Sequence, residues 1–228
     1  MVLGASPSPV SARLEFLPHH WIDARLALWL AIPRLLVVAD LHWGYVETHR
    51  ARGNLLPAWG DSDIAQRLNS LIADYQPAEM IWLGDSLHSL NGRRAADDFL
   101  RSTPLPITII GGNHDARWSH AQNRTCVIRP PYYFHHGDRP ATHTIPPDHT
   151  EIIGHFHPAL AFSDGAGTRL KLPALVASPR RLILPAFSPW AAGTPWHPKF
   201  PDETVYGIGT KRIFTVSPRV HQKEPFRP

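Results

Sequence analysis

Short apolar runs that break off at polar clusters set the rhythm of this chain. Leu35 to Ala39 is a continuous apolar run, the pattern of a strand covered on both faces, and Met80 to Leu83, Ile107 to Ile110, Tyr132 to Phe134 and Ile152-Ile153 are further apolar, strand-like runs. They stop at Asp40-Leu-His42, Gly84-Asp85, Gly111-Gly112-Asn113-His114-Asp115, His135-His136-Gly137-Asp138 and Gly154-His155-Phe-His157-Pro158. Between them the period changes. Ile64, Leu68, Leu71, Ile72 and Tyr75 recur at helical spacing and predict a helix from Asp61 to Tyr75, with Asp61 or Ser62 as its cap and Pro77 as its stop. Arg93 to Arg101 supplies a second helix. Upstream, Arg13 to Leu17 and Ala27 to Ile32 read as two strands joined by a turn. Beyond Pro158 the helical spacing disappears. Leu160 to Phe162, Arg169 to Ala177, Arg181 to Leu184, Val205 to Ile208 and Arg212 to Val216 read as strands of a predominantly antiparallel half, and Pro185 to Pro201 as a surface loop.

Alternating strands and helices in the first half point to the α/β class. In open α/β sheets ligands collect beyond the carboxyl ends of the strands. The clusters therefore converge on one crevice, although they run from Asp40 to His157.

Composition narrows the picture. At 228 residues and 43% hydrophobic content the chain buries a core and is not disordered. Residues 1–12 read as a flexible Pro/Ser-rich tail and 13–228 as a single domain. The lone cysteine, Cys126, excludes a disulfide framework and any cysteine-rich zinc site, so a metal must be held by nitrogen and oxygen. No secretory signal or membrane span is evident, which gives a cytoplasmic expectation. The net charge of +4, carried almost wholly by arginine, favours phosphate-bearing partners. The 15 histidines are the unusual count, and their positions direct the chemistry.

Asp40, His42, Asp85, Asn113, His136, His155 and His157 are all oxygen or imidazole donors, more than one mononuclear site uses. Two adjacent divalent metals account for them. Asp40 and His42 lie two apart, as do His155 and His157, so in extended chain each pair points to one side. Asp85 suits the bridge, with Asp40, His42 and His157 on one ion and Asn113, His136 and His155 on the other. Water between ions about 3.5 to 4 Å apart loses its proton near neutral pH and can attack phosphorus in line, so phosphoester hydrolysis is expected. Nitrogen and oxygen donors admit manganese, iron, zinc or cobalt. His114 follows Asn113 and would contact a phosphate oxygen or protonate the leaving oxygen, Asp115 would orient it, and His88 would offer a further donor to the phosphate.

Taken in order, Asp40-Leu-His42, Gly84-Asp85, Gly112-Asn113-His114-Asp115, His136-Gly137 and Gly154-His155-Phe-His157 resemble the motif set of the calcineurin-like metallophosphoesterases. The resemblance implies a four-layer α/β/β/α sandwich with mixed sheets and the dinuclear ligand set just described. Many relatives carry His-Gly-His at the fourth motif. Here Asp138 replaces the second histidine, and His135 remains an alternative to His136 as ligand. Gly84-Asp85-Ser-Leu-His88 resembles the DNA-repair nuclease branch. Leu172-Pro173-Ala-Leu-Val with Pro179-Arg180-Arg-Leu-Ile-Leu-Pro185-Ala-Phe resembles the ligase-associated DNA damage response phosphodiesterases, the PdeM group. This implies a manganese-dependent phosphodiesterase or endonuclease acting on DNA with DNA ligase and helicase partners.

Two other readings stay open: a phosphomonoesterase or nucleotide pyrophosphohydrolase on the same site, and a non-catalytic repair-complex module. Trp43 and Trp59 either stack bases or pack. Arg50, Arg52, Arg93, Arg94, Arg180 and Arg181 either follow a nucleic-acid backbone or form a solvated face. His19, His20, His49, His120, His143, His149, His197 and His221 fit no cluster. Oligomeric state has no sequence signal.

Overall fold

A computed structural model describes residues 12–121, 124–141, 144–163, 169–191, 193–198 and 200–216. The expected tail, all but Ala12, lies outside them, as do residues 217–228 of the expected domain and His143 and His221.

The chain forms two mixed sheets. The first comprises β1 (Arg13–Leu17), β2 (His20–Asp23), β3 (Ala27–Leu30), β4 (Leu35–Val38), β5 (Glu79–Leu83) and β6 (Ile107–Ile110), side by side in chain order. It is antiparallel from β1 to β4 and parallel from β4 to β6. The expected turn between the first two strands is in fact a strand, β2. His20-Trp-Ile-Asp23 is too short and mixed to show an apolar run, and only its central pairing on both sides makes it a strand.

The second sheet contains β7 (Cys126–Arg129), β8 (Tyr132–His135), β9 (Thr150–Ile153), β10 (Pro158–Ser163), β11 (Arg169–Ser178), β12 (Arg181–Ile183), β13 (Thr194–Pro195), β14 (Thr204–Ile208) and β15 (Ile213–Val216). Its spatial order is β13-β10-β11-β12-β9-β8-β7, with β14 and β15 branching from β11. Strands β8, β9 and β12 are parallel neighbours, and antiparallel pairs dominate after Pro158, as the pattern predicts.

Period-two alternation makes the second sheet two-sided. Ile152, Leu175, Ala177 and Leu182 join the main core with the first sheet, while their neighbours Ile153, Ala174, Val176 and Ile183 form a second apolar cluster with Trp196 and Phe214. Three helices, α1 (Tyr45–Ala51), α2 (Gly60–Tyr75) and α3 (Arg93–Ser102), belong to the first half of the chain. Helix α2 buries Ile64, Leu68 and Leu71, one stripe, in the main core. It has no side-chain cap. Asp61 instead accepts from the Gly44 N–H (2.8 Å) at the start of α1, and the helix ends at left-handed Gln76 before Pro77. The helix α1 had no sequence signature because it is one short segment with only Val46 and Thr48 buried.

The stretch from Pro185 to Pro201 is not simply a surface loop. Ala186 bridges Ala39 in parallel, Phe187 is fully buried, and the N–H groups of Phe187 and Ser188 donate to the carbonyls of Ala39 (2.7 Å) and Asp40 (3.1 Å). The chain leaving β12 in the second sheet therefore closes onto the end of β4 in the first. No described helix is long and apolar enough to cross a membrane.

Candidate metal centre

All the apolar runs singled out by the pattern are strands, β4, β5, β6, β8 and β9, and their carboxyl ends meet where the two sheets face each other. Beyond β4 and β5 the backbones stay paired: Asp40 N–H donates to Gly84 O, His42 N–H to Asp85 O and Trp43 N–H to Ser86 O, at 3.2, 3.0 and 2.8 Å. This extended ladder carries Asp40, His42 and Asp85 into one crevice.

The pairs Asp40/His42 and His155/His157 do converge, but not through extended chain. Asp40, His42, Asp85, His155 and His157 all have positive φ, between 44° and 67°. Non-glycine residues seldom adopt this left-handed backbone, and each such residue costs on the order of 1–3 kcal/mol, held in place by surrounding contacts. The left-handed residues turn the chain sharply at each strand end, so the expectation based on period-two alternation gave the right partners from the wrong backbone. The motif glycines have a related cause. A Cβ on Gly112 would lie 2.3 Å from Asp85 Oδ1, and one on left-handed Gly84 would lie 2.5 Å from the His136 ring.

Asp40, His42 and His157 bring one donor atom each within 4.8 Å of one another, and so do Asp85, His136 and His155. Each carboxylate divides its oxygens. Asp40 Oδ2 accepts from the His155 N–H (3.0 Å) while Oδ1 lies 3.1 Å from His157 Nε2 and 3.9 Å from His136 Nδ1. Asp85 Oδ1 accepts from the His114 N–H (2.9 Å) while Oδ2 lies 3.4 Å from His136 Nε2. His136 Nδ1 donates to the Leu83 carbonyl at 2.7 Å, which fixes its tautomer and leaves Nε2 for the crevice. Nothing in the sequence marks Leu83 for this role, since it acts through its backbone. The adjacent His135 points to the opposite face, where its Nε2 meets Glu151 Oε1 (2.8 Å). Of the two candidate histidines, His136 is the one in the crevice. Asp138 borders a neighbouring cavity and pairs with Arg139 at 3.4 Å.

Burial opposes charge on His136, but the closely approaching carboxylate of Asp85 and the charge of Asp40 outweigh that and raise its pKa to about 9. His157 is raised too, against burial, by Asp40. His42, more deeply desolvated, is pushed down to about 4. Asp85 is held at about 2, burial notwithstanding, by His136 and the His114 N–H.

Asp40 Oδ1, His42 Nδ1, His136 Nε2 and His157 Nε2 are buried yet lack a hydrogen-bond partner of acceptable geometry among the described residues. An unsatisfied buried polar atom costs roughly 1–3 kcal/mol, so several in one crevice require a further ligand. Divalent cations fit: the donors are nitrogen and oxygen, and the second atoms of Asp40 and His136 are already tied to the His155 N–H and the Leu83 carbonyl.

Asn113 and His114 sit at the exposed rim, on the loop after β6. His114 Nδ1 lies 3.1 Å from the His88 carbonyl, and its ring stacks on that of His88 at 5.5 Å. The donor atoms of His42, His88 and His114 also fall within 4.8 Å of one another. Asp115 does not orient the His114 ring. Both its oxygens are occupied by backbone N–H groups, those of Ser86 (3.1 Å), Leu87 (2.9 Å) and Gly112 (3.1 Å), so it staples the β6 loop to the β5 loop. Burial raises its pKa, partly countered by those bonds. The His88 carbonyl is the group that faces the His114 ring.

A family model described as calcineurin-like phosphoesterase matches residues 33–170. The solved structure of nuclease MPE from Pseudomonas putida aligns with a TM-score of 0.69 at 24% identity, covering 90% of this chain and all of that one. The phosphoesterase Yfce from E. coli aligns with a TM-score of 0.43 at 15% identity over 80% of this chain and 98% of that one. No curated protein matches. The family match spans every strand-end cluster of the crevice, and the chain belongs to the calcineurin-like phosphoesterases, metal-dependent hydrolases of phosphoester bonds.

Proposed function

We propose that this enzyme is a dinuclear phosphodiesterase that cuts DNA during repair, in company with a DNA ligase and a helicase. The observation that carries the dinuclear reading is the pair of three-donor groups in one crevice, with orphaned donor atoms facing inward. Asp40, His42 and His157 would hold one cation, and Asn113, His136 and His155 the other, with Asp85 between them. Manganese is the proposed ion, and the same donors accept iron, zinc or cobalt. Such a pair of cations, when bound, supplies a nucleophile at neutral pH and offsets the charge of the phosphoryl oxygens.

The remaining work falls to the chain. The His88 carbonyl can only accept, so His114 Nδ1 keeps its proton and Nε2 is the atom that hands a proton to the leaving oxygen. His88, pushed down to about 4 by burial and by the charges of His114 and His49, is neutral at pH 7 and offers the phosphate a hydrogen bond rather than a charge. Asp115 fixes the loop that presents Asn113 and His114. A nucleic-acid substrate is favoured by the fold likeness to a nuclease and by the net charge of +4. Membership of the ligase-associated group rests on the pattern from Leu172 to Phe187, whose end docks on Ala39.

The test is an activity profile of the manganese-loaded protein on an oligonucleotide, a bis-aryl phosphodiester, an aryl phosphomonoester and a nucleotide panel. Turnover of both diesters is expected. Hydrolysis confined to monoesters removes the diesterase reading, and cleavage confined to nucleotide pyrophosphate bonds replaces it with a pyrophosphohydrolase.

A further inference from the structure

Beside the metal centre, sharing only Asn113 with the proposed cation ligands, lies a cavity of about 550 Å³. One wall is the last turn of α1, with Thr48, Ala51 and Arg52; the other comes from Ser89, Leu90 and Asn91; Arg117 and Ala116 close the far side, and His114 with Asn113 stands at the inner edge. Its floor is rigid and polar. Thr48 Oγ1 and Ser89 Oγ are 2.6 Å apart, Asn91 Nδ2 donates to Thr48 Oγ1 (3.3 Å), and the Asn91 N–H donates to Ser89 Oγ (3.2 Å).

Several surface guanidinium groups are already engaged. Arg93, Arg94 and Arg181 are paired with Asp97, Asp98 and Glu151, and Arg50 and Arg180 are bonded to the carbonyls of Leu56 and Pro146. Arg52 and Arg117 have no described ion pair or side-chain hydrogen bond. Both are exposed, and the charge of Arg52 reaches as far as the His88 ring. Two uncommitted cations flanking a polar slot form a receptor for anions.

Position then fixes which part of a substrate enters. With His114 as proton donor, whatever is attached to the leaving oxygen must lie against His114, and this cavity adjoins it. We propose that the slot between Arg52 and Arg117 is a leaving-group subsite that takes the nucleoside released by cleavage together with the next phosphate along a single polynucleotide strand. The proposal rests on the diesterase reading above and extends it. The enzyme would then select substrates that continue past the scissile bond, and a dinucleotide lacking that further phosphate would be a poor one.

The experiment compares wild type with Arg52→Ala, Arg117→Ala and the double variant, all manganese-loaded. Substrates are an octathymidylate, thymidylyl-thymidine without a terminal phosphate, and a bis-aryl phosphodiester. Selectivity, taken as kcat/KM for octathymidylate over that for the bis-aryl diester, is expected to fall about tenfold in the double variant. Its preference for octathymidylate over the dinucleotide is expected to vanish. In parallel, anisotropy of fluorescein-labelled octathymidylate with the full chain as purified should show a salt slope reduced by about 0.7 in the double variant, the value for one lost phosphate contact on a single strand. An unchanged selectivity or salt slope overturns the subsite, even if diesters are cleaved. Failure to cleave any diester overturns the diesterase reading instead, and the salt slope still decides whether these arginines hold a strand.

Discussion

Asp85 is the residue on which the crevice turns. One of its oxygens holds the backbone of the β6 loop through the His114 N–H, and the other faces His136. Asp85→Asn keeps the shape and the first contact but replaces a full negative charge with a dipole. Loss of an outer-shell partner typically lowers metal affinity or activity 10–100-fold. Asp85→Asn is expected to exceed that, lowering kcat/KM by more than about 100-fold while the thermal midpoint moves by only a few degrees. Parallel turnover and calorimetry check this, and an equal loss of both would reduce Asp85 to a structural carboxylate. At this scale the sequence was informative about residue type and silent about backbone. The convergence of Asp40, His42, His155 and His157 is legible because carboxylate and imidazole recur at the carboxyl ends of strands whatever the backbone conformation. Their left-handed φ was not legible, because a strained conformation held by tertiary contacts has no signature when the residue is not glycine. The role of Asp115 failed for a similar reason: adjacency to His114 suggested a side-chain contact, and the carboxylate turned instead to three backbone N–H groups.

Elements were readable where burial imposed a long, regular pattern. The five apolar runs and α2 emerge because a covered strand such as β4, or one stripe of a helix, must be largely apolar to pack. The strand β2 and the helix α1 leave no sequence pattern since their neighbours, not their own sequences, stabilise them. Asp23, at the end of β2, shows how such an element is anchored. Only 1% exposed, it accepts from the Arg25 guanidinium (2.7 and 2.9 Å) and from the Tyr75 O–H (2.8 Å) on α2. Burial works against the charge, but these bonds and the charge of Arg25 hold its pKa below the ordinary 3.8. A folded-state value below the unfolded one adds stability above the unfolded pKa, and that stability disappears as pH falls through the lowered native value. Acid unfolding of Asp23→Asn should therefore show a smaller loss between pH 5 and its acid limit than the wild type. At pH 7 the variant should be less stable, by roughly 3 kcal/mol, a buried pair having lost its anion. Urea melts across that range provide the measurement, and parallel curves would remove Asp23 from the account.

For the whole molecule, the decisive connection is the segment from Pro185 to Ser188. Its proline-rich surroundings suggested a surface loop, yet it spans the seam between the sheets. Phe187 is 0% exposed, Arg67 lies over its ring at 4.3 Å and donates to its carbonyl at 2.6 Å. Phe187→Ala is expected to destabilise the fold by about 3–5 kcal/mol, as large aromatic truncations in cores do. It should also weaken divalent-metal binding, because the same segment holds the carbonyl of Asp40 through the Ser188 N–H. Chemical denaturation and a metal titration on one preparation test both effects. A stability loss with unaltered affinity would show that the seam and the crevice are independent.

The crevice draws its donors from both halves of the sandwich, Asp40, His42 and Asp85 from one sheet and His136, His155 and His157 from the other. Cations gripped from both sides would act as a clasp. Any sliding of the layers would spill the ions before the hydrophobic interior came apart, so chelation and mechanical loosening should have the same outcome for this enzyme.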